Sequence, residues 1–378
     1  MKTFLFIICF SISQILFCQV TFIINNLPEN HDYKKDIYIS GDFEGWSGGE
    51  DQYKLIKNHQ EYHITIPKLK EAISFKFTLG SWDSVECGPE NSNIENRTYS
   101  FTQPQDTVVI TISNWTDKSL TTKHATASKN VHVFTENFKM PQLNRERKIW
   151  VYLPPNYETS SKRFPVLYMH DGQNVFDNAT SYAGEWEVDE TLNRLSKDYG
   201  LNLIVVAIDN GVERLSEYSP WENSKYGKAE GDAYLDFIVS TLKPEIDKTY
   251  RTKNNAKNTA IMGSSMGGLI SHYAGLKYPN VFGKIGVFSP SFWYASESFN
   301  YTEEHANQKH LKMYFLVGAN EGGDEQMAND MQAMVKLMKT NGFKKKNVYS
   351  KVVPDGIHSE SFWKVEFEAA VRWLFLKN

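Results

Sequence analysis

Thr259-Ala-Ile-Met-Gly-Ser-Ser-Met-Gly-Gly268 decides how most of this chain is read. Thr259 to Met262 show no polar alternation, as expected of a strand buried on both faces. They run directly into Gly263-x-Ser265-x-Gly267. Glycines two places before and two places after Ser265 relieve the Cβ clashes of a sharp strand-to-helix turn, which presents the central serine hydroxyl. Ser264 lacks that frame. The segment therefore reads as a buried strand, a turn carrying a nucleophile at Ser265, and a helix whose N-terminus favours negative charge beside an attacked carbonyl.

The same grammar extends on both sides of this stretch. Phe164–Met169, Leu203–Ile208, Lys284–Phe288 and Lys312–Val317 are further apolar runs, and helical patterns such as Tyr234–Leu242 and Met327–Met338 lie between them. Continuously apolar strands alternating with helices predict an α/β domain over residues 131–378, a mostly parallel sheet with helices on both faces. Upstream the pattern changes. Asp36–Ser40, Tyr62–Ile66, Ile73–Thr78 and Thr107–Ile112 are short alternating runs separated by Gly, Asn and Pro clusters. They predict a small immunoglobulin-like antiparallel β-sandwich over residues 19–116. Residues 117–130 are polar and aperiodic and read as a linker.

Residues 1–18, MKTFLFIICFSISQILFC, place one lysine before a short apolar run. This is the pattern of a secretory signal peptide, too short for a membrane span. The expectation is export to the periplasm or the extracellular space. Lipidation at Cys18 is the lesser alternative, because Phe17 is bulky where lipoprotein signals carry a small residue. Of three cysteines, only Cys87 then remains, so no disulfide framework is expected. A formal net charge of −4 without a basic cluster argues against nucleic acid as a partner.

A serine hydroxyl needs a base, and a base needs orientation. His358, in Val353-Pro-Asp-Gly-Ile-His358, follows the last strand-like run. His272 lies inside the helix after Ser265, while His305 and His310 occupy a polar segment. Glu321 follows the strand that ends near Val317, and Asp324 lies three residues further on; either carboxylate is placed to orient the imidazole. For a tetrahedral oxyanion, one donor is the Met266 N–H, and the loop Met169-His-Asp-Gly-Gln-Asn174 offers Gly172 or Gln173 for the second. His170, Asp171 and Asp177 lack the spacing of a metal site, so neither metal nor cofactor is expected. Trp186, Trp293, Tyr294 and Trp363 are candidate walls of an acyl or aryl pocket, with Arg214 and Glu217 shaping its substrate side or pairing with each other.

Leu167-Tyr-Met-His-Asp-Gly-Gln-Asn-Val-Phe-Asp177, Arg214-Leu-Ser-Glu-Tyr-Ser-Pro220, Gly263-Ser-Ser-Met-Gly-Gly268 and Ser289-Pro-Ser-Phe-Trp293 occur in one order. Together they resemble the esterase-D-like esterase family of α/β-hydrolases, which includes feruloyl, acetyl-xylan and trilactone siderophore esterases. The resemblance spans Val131 to Asn378. It implies Ser265 as nucleophile, His358 as base and Glu321 at the acid position. In the first domain, Gly41-Asp-Phe-Glu-Gly-Trp46, Phe75-Lys-Phe-Thr-Leu-Gly-Ser-Trp82 and Glu95-Asn-Arg97 resemble glycogen- and starch-binding modules. That likeness implies Trp46, Lys76, Trp82 and Asn96 as sugar contacts, although the loop from Asp83 to Glu90 departs from the module pattern. The resulting expectation is a serine esterase removing feruloyl or acetyl groups from plant cell-wall polysaccharide. A siderophore trilactone is the alternative substrate, and an idle hydrolase fold on a glycan-binding protein is the alternative class.

Overall fold

In the computed structural model the described residues are 18–376 apart from 60, 90–93, 95, 117–123, 183, 224–225, 306–309 and 322–325. All but Cys18 of the expected signal peptide lies outside them, as does Asp324. The chain divides into two compact units, Met1–Leu120 and Thr121–Asn378.

Strands of the first unit are β1 (Gln19–Asn26), β2 (Tyr38–Gly41), β3 (Ile56–Asn58), β4 (Glu61–Pro67), β5 (Ala72–Thr78), β6 (Glu86–Cys87), β7 (Arg97–Ser100), β8 (Gln105–Thr111) and β9 (Asn114–Trp115). They build a sheet ordered β3-β4-β1-β8, a second ordered β2-β5-β7, and the pair β6-β9. Alternation explains the core: Val20, Phe22 and Ile24 of β1 point inward and pack with Ile39, Phe75 and Phe77 from the second sheet. Unlike the antiparallel pairings expected from the alternating runs, β1 and β8 run parallel. No hairpin joins them, so nothing in the connection imposes an antiparallel direction.

The second unit is built on one eight-stranded sheet. Its strands are β10 (Val131–Met140), β11 (Arg145–Tyr152), β12 (Val166–Met169), β13 (Ile204–Ile208), β14 (Thr259–Ser264), β15 (Lys284–Phe288), β16 (Lys312–Gly318) and β17 (Val348–Val353). The order is β10-β11-β13-β12-β14-β15-β16-β17. β10 pairs with β11, and β11 with β13, in antiparallel fashion; the other pairs are parallel. Helices are α1 (Val188–Tyr199), α2 (Arg214–Glu217), α3 (Gly231–Asp236), α4 (Lys243–Thr249), α5 (Met266–Lys277), α6 (Glu297–Glu304), α7 (Gln326–Thr340) and α8 (Glu360–Phe375). Among the described residues no helix is long and apolar enough to cross a membrane.

Both faces of this sheet are covered, and the strand sequences show why. In β12, Val166 and Tyr168 enter one core cluster while Leu167 and Met169 enter the other. Full burial of such side chains contributes roughly 1.5–3 kcal/mol each, so both layers hold the sheet. α8 closes the second layer with Trp363, Phe367, Ala370, Val371 and Leu374, a helical stripe. The Ser359 side chain caps this helix by accepting from the Phe362 N–H at 3.4 Å. The helix expected over Tyr234–Leu242 is only partly α-helical, because Phe237–Leu242 widen into a π-helical segment between α3 and α4.

Candidate active site

β14 delivers Ser264 to its C-terminal end, and Ser265 turns the chain into α5 at φ 59°, ψ −122°. Backbone strain of this kind costs about 1–3 kcal/mol and persists only when neighbours fix it. Here the Ser265 N–H donates to the Phe288 carbonyl at 3.0 Å, and the Ser265 carbonyl accepts from Gly268 and Leu269 of α5. The glycine frame is real but shifted. A Cβ on Gly263 would lie 2.8 Å from the His170 ring, and one on Gly268 would lie 2.7 Å from the Phe288 carbonyl. On Gly267 it would meet nothing nearer than 3.4 Å. Close packing therefore requires Gly263 and Gly268 more than Gly267. The Ser265 Oγ lies 3.2 Å from the Ser291 Oγ.

Glu321 follows β16 and is buried, while His358 follows β17 and is partly exposed. His358 Nδ1 lies 2.9 Å from Glu321 Oε2. A carboxylate only accepts, so Nδ1 carries the proton and Nε2 is left as the basic nitrogen. The other oxygen, Glu321 Oε1, accepts from the Ser289 hydroxyl and the Gly318 N–H, both at 2.6 Å. Trp363 Nε1 in turn donates to Ser289 Oγ at 2.8 Å, and the Trp363 ring stands edge-on to His358. Ser265, Ser291, Glu321 and His358 thus follow four consecutive parallel strands at one edge of the sheet, where α/β sheets place their sites. His272 is buried against Thr302, and burial lowers its pKa to about 3. His170 is likewise buried, its Nδ1 2.8 Å from the Tyr234 hydroxyl, and burial lowers its pKa to about 4.

The loop after β12 lies over the same edge. Asp171 adopts a left-handed conformation (φ 56°, ψ 48°), and Gly172–Asn174 form a single 3-10 turn. Gly172 and Gln173 begin that turn and Met266 begins α5, so their N–H groups have no partner within their own helices. A Cβ on Gly172 would strike the backbone N of Asp209 at 2.8 Å, which accounts for the glycine. Asp209 accepts from Trp150 Nε1, and burial raises its pKa to about 6. Between its ordinary value of 3.8 and about 6 the folded protein holds a proton that the unfolded chain has lost. Stability therefore falls as pH rises through that window, by at most about 1.4 kcal/mol per pH unit for one group. Denaturant midpoints should fall less steeply in Asp209→Asn than in the wild type between about pH 4 and about pH 6; equal slopes would remove Asp209 as the source.

The expected substrate-side residues differ in exposure and partners. Trp186 and Trp363 are only 4% exposed and pack against each other at a tilt, with Trp186 also stacked on Phe288 and edge-on to Phe367 in the core. Trp293 is 36% exposed and meets Tyr226 and Tyr294 edge-on. Arg214 does not pair with Glu217. It makes a bidentate ion pair with Asp171 at 2.7 and 2.8 Å, whereas Glu217 is held by Arg145 and Arg147. Burial acts to raise the Asp171 pKa, but Arg214 outweighs it and holds the carboxyl below its ordinary value. Neither Asp171 as the partner of Arg214 nor Ser289 as a donor to Glu321 was readable from spacing, since both bonds join distant strands. The three residues weighed for a metal do not converge: His170 meets Tyr234, Asp171 meets Arg214, and Asp177 accepts from the Thr126 and Ala179 N–H groups.

In the first unit Trp46 and Trp82 come together, with ring centroids 5.8 Å apart and planes tilted by 44°. Expected as exposed sugar platforms, both are half-buried, and Trp82 Nε1 donates to the Trp46 carbonyl at 2.8 Å. Lys76 donates to the Ile94 carbonyl at 2.6 Å, and Asn96 is half-buried.

Comparison with known proteins places the second unit in a family. A family model described as "Putative esterase" matches residues 140–374. The uncharacterized protein YbbA of Bacillus subtilis is 28% identical over 243 residues, which are 61% of this chain and 94% of that protein. An endo-1,4-beta-xylanase/feruloyl esterase of Xylanibacter ruminicola is 26% identical over 204 residues, 53% of this chain but only 26% of that larger protein. Among solved structures, the enterobactin esterase FES from Shigella flexneri superposes with a TM-score of 0.55 at 15% identity, over 90% of this chain and 88% of its own.

Proposed function

Because the chain belongs to the esterase family of α/β-hydrolases and is a carboxylic ester hydrolase, we propose that it works through a Ser265 acyl-enzyme and removes feruloyl groups from cell-wall polysaccharide. The observation that carries the mechanism is the Glu321–His358 contact at the strand edge that also bears Ser265. His358 Nε2 takes the Ser265 proton as Oγ attacks the ester carbonyl. Glu321, fixed from the far side by Ser289 and Gly318, stabilises the imidazolium. The Met266 N–H, with that of Gly172 or Gln173, binds the oxyanion. Collapse of the tetrahedral adduct breaks the bond to the alcohol, which leaves with the proton from His358. Water then repeats the sequence and frees the acid and Ser265.

Support for the acyl group is the similarity to the xylanase/feruloyl esterase. Trp293, half-exposed beside Tyr226 and Tyr294, supplies a flat surface for an aromatic acid. The second reading, a trilactone siderophore esterase, draws on the coverage of 90% of this chain by the enterobactin esterase, a span that includes the first unit. That coverage removes the β-rich unit as an argument for carbohydrate alone. Initial rates on methyl ferulate, acetylated xylan and a catecholate trilactone separate the readings. A kcat/KM on the ferulate about tenfold or more above the others is expected, and a preference for the trilactone would transfer the assignment.

A further inference from the structure

Beside Trp186 in the core, three acids meet. One carboxylate oxygen from each of Glu185, Asp189 and Glu190 lies within 4.8 Å of the other two. Glu185 and Asp189 are more than nine-tenths buried, Asp189 completely. Each bonds through one oxygen to the segment that opens the second unit. Glu185 Oε2 accepts from the Thr126 hydroxyl and Asp189 Oδ2 from the Ser128 N–H, both at 2.7 Å. The remaining oxygens, Glu185 Oε1 and Asp189 Oδ1, together with Glu190 Oε2, are buried and have no hydrogen-bond partner. The charges that act on Glu185, those of Asp189, Glu187 and Asp177, are all negative.

Two simpler arrangements leave part of this unexplained. The α1 N-terminus favours Asp189 and Glu190, which lie in its first turn, but Glu185 precedes the helix. A proton held between Glu190 and Asp189 would partner two of the three orphaned oxygens, and the burial that raises the Glu190 pKa to about 8 favours such a proton. Glu185 Oε1 would still be buried without a partner, its desolvation uncompensated. A hard divalent cation satisfies all three. With bonds of about 2.3–2.6 Å, Ca2+ spans oxygens up to roughly 5 Å apart, while Mg2+ at about 2.0–2.1 Å demands a tighter octahedron.

We propose that Glu185, Asp189 and Glu190 form a structural Ca2+ site that fastens residues 126–128 to the N-terminus of α1. Its position gives it a consequence for the active site. Trp186, next to Glu185, stacks on Phe288 and packs at a tilt against Trp363, and Trp363 holds Ser289 against Glu321. The cation therefore braces the wall behind the acid without touching substrate.

The test uses the full chain stripped with a chelator. Tb3+ should give saturable emission when the indoles are excited, and Ca2+ should displace it at concentrations about tenfold or more below those of Mg2+. Thermal unfolding in about 10 mM Ca2+, above the about 10⁻³ M dissociation constants of weak extracellular sites, should occur about 2 °C or more higher than in chelator. Asp189→Asn should abolish both signals. If that variant does not fold, Glu190→Gln, at the less buried ligand, should abolish the Ca2+ shift instead. A melting temperature indifferent to Ca2+, with Glu190→Gln as stable as the wild type or more so, would overturn the site and assign a proton shared between carboxyls.

Discussion

His358→Ala is expected to lower kcat on an aryl ester by about 10⁴–10⁶-fold, as loss of the base does in other serine hydrolases. Neither of the two buried histidines of this unit, His170 and His272, is placed to substitute for it. His170 and His272 are buried, bonded to Tyr234 and Thr302, and kept neutral by burial, with pKa values lowered to about 4 and about 3. His358 alone of these three sits beside Glu321, and its side chain retains 30% exposure. That exposure also makes the substitution mild for folding, with an expected stability change below about 1 kcal/mol. Steady-state rates and a denaturant titration on the same preparation check both halves. A folded variant within tenfold of wild-type turnover would remove His358 from the mechanism.

Glu321 behaves differently, because it also ties the framework together. Glu321→Ala removes the acceptor for Ser289, Gly318 and His358 together. A loss of about 10³–10⁴ in kcat and about 2–4 kcal/mol of stability is expected. Glu321→Gln separates the two effects. Its amide oxygen still accepts from Ser289 and Gly318, which restores much of the stability, but an amide N–H facing His358 Nδ1 imposes the wrong tautomer and leaves kcat low. Asp324→Ala, at the other carboxylate weighed for this role, should change both quantities little. Full activity in Glu321→Gln would show that the imidazole needs no charged partner here.

What the sequence made legible, and what it did not, divides along a physical line. The strands at β12 through β16 stood out because each is buried on both faces and so loses the polar alternation of a half-exposed strand. The Ser265 turn was legible because strain there restricts residue choice, although the close contacts fall on Gly263 and Gly268 more than on Gly267. Glu321 and His358 were placed by their positions after successive strands. What stayed hidden were contacts between residues far apart in the chain. Asp171 with Arg214, Glu217 with Arg145 and Arg147, and Trp363 with Ser289 depend on side-chain directions that periodicity does not encode. The same limit explains Trp186 and Trp363, whose aromatic character suits a pocket wall or a core equally well. Glu185, Asp189 and Glu190 escaped for a related reason: acids at a helix start are ordinary, and only burial with unpartnered oxygens sets these apart.

In the proposed mechanism Ser265 forms the acyl-enzyme. Incubation of the full chain with a serine-reactive aryl phosphonate, followed by peptide mass spectrometry, tests it most directly. One adduct per chain on the peptide containing Ser265, lost in Ser265→Ala together with all but a trace of ester turnover, is the expected result. Labelling at Ser264, Ser289 or Ser291, or turnover that survives in Ser265→Ala, would contradict it.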